Sequence, residues 1–194
     1  MPRPATDFAT RRRGVLFDAL LALVLAEGFA HLSVADLAAR LTCSKSTLYT
    51  LADSKEQLVT KTVTHFFRTA TDSVEDKVAQ ASSARDAVIT YLIAVGEALT
   101  PASPRFMADL HAFAPTRELY ERNTAAAASR VRALIDAGVT SGEFRDVNAA
   151  FAADLAASMM SRIQRREVAA TTGLDDAQAY RQLAAILTTG IDAR

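Results

Sequence analysis

Eight side chains in the N-terminal part of the chain have the types and spacing to grip a nucleic acid: Ser33, Ser44, Lys45, Ser46, Thr47, Tyr49, Thr50 and Lys55. Short hydroxyls and a lysine at the start of a helix can meet the hydrogen-bonding edges of bases in a major groove. Ser44–Thr47 form one such turn, and Thr50 lies a turn further along the same side. Tyr49 has two uses, a phosphate hydrogen bond through its hydroxyl or core packing. Lys55 stands at a helix start, where an ammonium opposes the helix dipole. A bound phosphate there would gain from the lysine and from free backbone N–H groups. Ser33 offers the same geometry one helix earlier, as a cap alone or as cap and phosphate site together. Arg11, Arg12 and Arg13 make a short cationic run, readable equally as a phosphate or minor-groove contact and as a solvated surface.

Other chemistry is thin. His31, His65 and His111 lie far apart in sequence, none near Cys43, and no His/Cys/Asp cluster has metal-ligand spacing. There is no Gly-rich phosphate loop. No metal, no cofactor and no enzymatic activity is expected. Cys43 is the single cysteine, so it forms no internal disulfide. It fills a tight turn, or serves as a thiol near a helix start. Later in the chain Tyr91, Phe106, His111, Phe113, Tyr120 and Met159, with Met107 and Met160, have the composition of an apolar small-molecule site. The same residues at helical spacing also suit a plain core. Glu97 and Arg162 are the charges placed to orient a ligand there.

The elements that must hold these groups are helical. Leu16, Leu20, Leu23 and Val24 give a stripe from about Arg11 to Glu27, with Gly28 as its C-cap. Residues 1–10 read as a mobile arm. Ser33 with Asp36 three residues on, Ser44, and Asp53-Ser54 with Glu56 and Gln57 mark three helix starts in quick succession. The fourth helix reaches about residue 80. Further helices are expected over 82–100, 106–113, 116–137 with Gly138 closing it, 147–168 and 175–190. The chain reads as all-α, with about nine helices. The division expected is a helix-turn-helix domain over 1–58 and a helical ligand-binding and dimerisation domain over 59–194.

Residues 13–60 resemble the N-terminal DNA-binding domain of the TetR/AcrR family of bacterial repressors. The blocks that carry the resemblance are Leu16-Phe17-Asp18-Ala19-Leu20, Glu27-Gly28-Phe29, Ser33-Val34-Ala35-Asp36-Leu37-Ala38, Ser44-Lys45-Ser46-Thr47-Leu48-Tyr49 and Ser54-Lys55-Glu56-Gln57-Leu58. Gly142-Glu143-Phe144-Arg145 is similar to the turn before that family's last two helices. The family often has Gly-Val where this chain has Thr42-Cys43, and an aromatic or His followed by Phe where it has Leu51-Ala52. Leu51 cannot make the phosphate contact of that aromatic; it packs inward or touches a thymine methyl. The resemblance implies a ligand pocket framed by helices four to eight. It also implies a homodimer through the eighth and ninth helices, where Ala149, Ala150, Ala152, Ala153, Ala156, Ala157 and Ser158 are small enough for close helix approach.

Charge agrees in sign. Residues 1–70 hold nine Lys/Arg against six Asp/Glu, a net of +3, and residues 71–194 hold thirteen against sixteen, a net of −3. No apolar run of about 18 residues appears, so no membrane span is expected. Glu27-Gly28-Phe29 is a poor cleavage site, so the run Val15–Ala26 is expected to be a helix and not a signal peptide. The expected function is a cytoplasmic, ligand-responsive transcriptional regulator, most simply a repressor. Its partners are a palindromic double-stranded DNA operator, an unknown small-molecule effector and a second copy of the chain. The alternative is a helical ligand-binding or interaction module that has lost DNA binding, as Leu51 and the zero net charge would allow.

Overall fold

Hydroxyl caps start the first short helices as expected. The computed structural model describes residues 4–193, with side chains from Arg12 onward. Helix α1 spans Pro4–Glu27, α2 Val34–Arg40, α3 Lys45–Tyr49 and α4 Lys55–Val78. Then come α5 Ala84–Leu99, α6 Pro104–Ala112, α7 Ala114–Ser141, α8 Ala149–Gln164, α9 Glu167–Thr172 and α10 Asp176–Ile191. No strand occurs among the described residues, only an isolated bridge between Phe144 and Asp192. No single helix among them is long and apolar enough to cross a membrane. The expected arm is helical from Pro4; proline is well placed at a first helical position, where its missing N–H breaks no helix bond. Residues 1–3 lie outside the described residues.

The chain divides into two compact units. One is Met1–Phe66 with Pro101–Leu119, the other Phe67–Thr100 with Tyr120–Arg194. The boundary expected at 58/59 falls within the first turns of α4.

In the first unit, Ser33 and Asp36 form a reciprocal capping box on α2. Ser54, not Asp53, supplies the oxygen that caps α4, accepting from the Gln57 N–H at 3.1 Å. Between α2 and α3 the chain turns through Thr42 in the left-handed region, φ 51°. A β-branched residue is strained there, by about 1–2 kcal/mol. Thr42→Gly is therefore expected to raise stability by about 0.5–1 kcal/mol after allowing for glycine's extra unfolded-state entropy. Thermal denaturation checks this; an unchanged or lower midpoint would show that the turn carries no strain.

Helix α6 belongs to this unit, which periodicity alone did not reveal. Phe106 is wholly buried and meets Phe29 and Phe66 edge-on, with ring centroids 6.3 and 5.9 Å apart. The Asp109 carboxylate accepts from the N–H groups of Phe29 at 2.6 Å and Ala30 at 2.8 Å. Gly28 ends α1 at φ 75°, and a Cβ there would lie 2.5 Å from Asp109 Oδ2. Its left-handed backbone and this close approach both require glycine.

In the second unit α5 packs chiefly against α10. The buried centre is Val88, Leu92, Ile135, Ala156, Ile163 and Tyr180. Helix α7 does not close at Gly138 but continues to Ser141 and stops at Gly142, φ 78°. Gly138 is small for another reason: a Cβ there would lie 2.2 Å from the Phe144 ring. In the same turn Glu143 accepts from the Ala84 N–H at 2.9 Å and so caps α5. The single helix expected over 147–168 is two, because Arg166 takes the left-handed conformation, φ 61°. That break gives ten helices among the described residues.

Candidate functional site

Five residues make α3, and their sides divide cleanly. Leu48 is 1 % exposed and anchors the helix to the first unit's core. Ser44, Lys45, Ser46, Thr47, Tyr49 and Thr50 are all exposed. Ser44 Oγ accepts from the Thr47 N–H at 3.1 Å and lies 2.7 Å from both Ser46 Oγ and Thr47 Oγ1. The hydroxyls are thus held as a cluster at the start of the helix. Lys45 has no hydrogen bond or ion pair among the described residues, so its ammonium is available. Tyr49 is 48 % exposed and its hydroxyl is unbonded among the described residues. It faces water and not the core. Leu51 is half-buried, and Ala52 beside it is buried, so this pair turns inward.

Two cations reach the end of α3: Arg13, from the arginine run noted in the sequence, and Lys61, which sequence spacing did not single out. Arg13 donates to the Thr50 carbonyl, and Lys61 Nζ donates to the Leu51 carbonyl at 3.0 Å. Both satisfy carbonyls at a helix C-terminus, where positive charge is favoured. Arg12 is exposed, while the side chain of Arg11 lies outside the described residues.

The two helix starts read as phosphate sites are partly occupied from within. Asp36 Oδ2 accepts from both the backbone N–H of Ser33 at 2.8 Å and its hydroxyl at 2.6 Å. The Ser33 hydroxyl, followed by its backbone N–H, holds the Asp36 carboxyl below the usual carboxylate range. Ser33 is exposed, but its own amide is used. Lys55 is half-buried, and its Nζ donates to the Ala30 carbonyl at 3.1 Å, leaving two of its three N–H donors. Glu56 follows it at the same helix start. Its own backbone N–H, then the Ser54 hydroxyl, keep that carboxyl below the usual range.

The second unit contains a cavity of about 250 Å³ walled by α4, α5, α7 and α8. Tyr91 and Tyr120 line it, as does Met160. Phe106, His111 and Phe113 do not, because α6 packs in the first unit. Met159 also misses the wall. The α8 face that lines it carries Ala157, Met160 and Gln164, at helical spacing, and Met159 instead packs half-buried against the core. The charges expected to orient a ligand pair elsewhere: Glu97 with Lys77 at 2.6 Å and Arg162 with Glu167 at 3.4 Å. The charges at the wall are Glu75 and Arg130. Arg130 Nε and Nη2 donate to the Glu75 carboxylate at 2.9 and 2.7 Å, a two-pronged pair. These residues are fifty-five apart in sequence, so no local pattern marks them. Tyr120 donates its hydroxyl hydrogen to Gln164 Oε1, and Gln164 Nε2 donates to the Tyr180 hydroxyl at 2.9 Å. No group of His, Cys, Asp and Glu suited to a metal ion occurs among the described residues.

A polar helix displayed over a buried leucine, led in by a tight turn from a second short helix, is the geometry of a helix-turn-helix. Residues 16–62 match the family model described as bacterial regulatory proteins, tetR family. No curated protein matches the chain. The fold as a whole is shared with solved regulators. A putative transcriptional regulator from Saccharomonospora viridis in complex with choline has 16% sequence identity and a TM-score of 0.79, the alignment covering 95% of this chain and 100% of that one. A TetR transcription regulator from Haloarcula marismortui has 14% identity and a TM-score of 0.77, covering 95% and 100%. The TetR-family regulator PfmR from Thermus thermophilus has 20% identity and a TM-score of 0.70, covering 92% and 99%. Residues 16–62 are thus similar to the N-terminal part of tetR-family regulatory proteins, and the chain as a whole shares the fold of these solved regulators.

Proposed function

We propose that the protein is a cytoplasmic, ligand-responsive repressor that binds a palindromic operator as a homodimer. DNA reading is assigned to residues 1–58, and effector binding and dimerisation to residues 59–194. The observation that carries the reading is the outward set of Ser44, Lys45, Ser46, Thr47, Tyr49 and Thr50 over buried Leu48. In this reading the first four meet base edges, with Thr50 a turn behind. Tyr49 and the remaining donors of Lys55 take phosphates, and Ser33 marks a further phosphate position at the start of α2.

Dimerisation is assigned to α8 and α10. Phe151 and Leu155 on α8 are 71 % and 51 % exposed, and Ile186 on α10 is 70 % exposed. Large apolar side chains gathered on an open surface point to a partner. The alanine stripe read from the sequence has a different place. Ala149, Ala152, Ala153 and Ala156 are buried within the unit's own core, as are Tyr180, Leu183, Ala184 and Leu187. The proposed contact therefore uses the opposite face of α8.

The cavity lined by Tyr91 and Tyr120 is assigned to the effector. The response proposed is a population shift carried by α4, which contributes Val59 and Val63 to the first unit's interior and Val74 and Val78 to the second's.

Electrophoretic retardation of fragments from the gene's own upstream region, across a salt series, tests DNA binding. Lys45→Ala is expected to weaken binding and to make the slope of log affinity on log salt shallower by about 1 if the ammonium meets a phosphate. If it meets a guanine edge, affinity falls by about 1–3 kcal/mol with relaxed preference at one base pair. Neither change would remove Lys45 from the interface, and no retardation at low salt would favour a module that has lost DNA binding.

A further inference from the structure

A buried phenol lines the cavity of the second unit. Tyr91 is 6 % exposed and lines it, yet its hydroxyl has no hydrogen-bond partner among the described residues. Its oxygen is not among the fully buried unpaired atoms of the described residues, and Tyr91 is itself part of the cavity wall. The other polar groups at the wall are committed or wet. Tyr120 bonds Gln164, and Gln164 bonds Tyr180. Both oxygens of Glu75 accept from Arg130. Thr71 is exposed, and Asn123 and Thr124 are half-exposed, so water serves them already. The remaining wall is apolar, with Phe67, Val74, Val95, Leu99 and Met160.

The charge balance then selects the ligand. Arg130 Nε and Nη2 already serve Glu75, so a carboxylate could reach only the Nη1 side and would lie close to that like charge. A cation entering beside Glu75 meets Arg130 in the same way. Either sets like charges side by side at a half-buried pair, whereas a neutral molecule disturbs neither. We propose that the cavity takes a neutral, largely apolar small molecule bearing one acceptor oxygen, a carbonyl or ether, that receives the Tyr91 hydroxyl hydrogen. This rests on reading the cavity as the effector site. Burial first, and Glu75 second, push the Tyr91 hydroxyl up to about 12, so it stays a donor throughout the physiological range.

Isothermal titration of the full-length protein with 2-octanone, octanoate and octyltrimethylammonium tests the class. The ketone is expected to bind at least about tenfold more tightly than either charged probe. Tyr91→Phe should weaken the ketone roughly two- to tenfold, the worth of one hydrogen bond. Its melting temperature should not fall, because no internal bond is lost. Ala98→Phe, which fills the cavity, should abolish ketone binding. Equal or tighter binding of a charged probe, or an unchanged ketone affinity in Tyr91→Phe, overturns the proposed class while leaving the cavity as the site. Ketone binding that survives Ala98→Phe, or no binding by any probe, overturns the cavity reading itself and the proposal with it.

Discussion

Replacing Phe151 and Leu155 together by aspartate is expected to give a folded monomer whose operator affinity is lower by roughly 10²–10⁴-fold, the factor contributed by linking two binding events. The two residues lie one helical turn apart on α8 and are 71 % and 51 % exposed in the single chain. A two-fold interface buries each of them twice. Burying such a side chain from full exposure stabilises by about 1.5–3 kcal/mol, so with the exposure these residues still have, the four contribute roughly 4–7 kcal/mol to association. Aspartate removes that and adds four carboxylates that would have to be desolvated. Both positions face water in the free chain, so the fold should survive. Sedimentation equilibrium reads the assembly and retardation reads the affinity. A dimer that persists with full affinity would move the interface off this face of α8.

The second large effect is on stability. Phe106→Ala should cost about 3–5 kcal/mol, the usual loss for a large aromatic in a closed core. In a unit of this size that lowers the melting point by roughly 15 °C or more. Phe106 is wholly buried and edge-on to two other rings, Phe29 and Phe66. Each such ring pair adds about 0.5–1.5 kcal/mol beyond area alone. Phe106→Leu should recover much of the loss, since it refills most of the volume. Below its melting point Phe106→Ala should bind 2-octanone like the parent chain, because this residue does not line the cavity. A large change in ligand affinity with little change in melting point would return Phe106 to the ligand site.

Local chemistry was readable from the sequence where the cause was local. The Ser33–Asp36 capping box, the Ser44 cap and the outward face of α3 all follow from side chains within four residues of one another. Spacing left Asp53 and Ser54 equally plausible as caps, and the backbone chose Ser54. What could not be read was pairing across long separations. Phe106 looked like a pocket aromatic because nothing near it in sequence records Phe29, seventy-seven positions earlier. Glu75 and Arg130 leave no local trace for the same reason, whereas Glu97 and Arg162 stand among apolar neighbours in sequence. Periodicity also fixes which residues share a helix face without saying what that face meets. Ala149, Ala152, Ala153 and Ala156 share one face of α8, and the core of their own unit covers it. Gly138 shows a similar limit. Its small size marks a close approach by Phe144, and a helix end would leave the same trace in sequence.

The central claim is that α3 reads DNA on behalf of a two-fold dimer. Selection of bound sequences from a random double-stranded pool tests it most directly, run in parallel with the parent chain and with Lys45→Ala. The parent chain should enrich a palindrome whose half-sites lie about one helical turn, or a multiple of it, apart. The Lys45→Ala pool should keep that spacing and lose preference or affinity within each half-site. Recovery of no enriched sequence, or of a single asymmetric site indifferent to Lys45, would contradict the account.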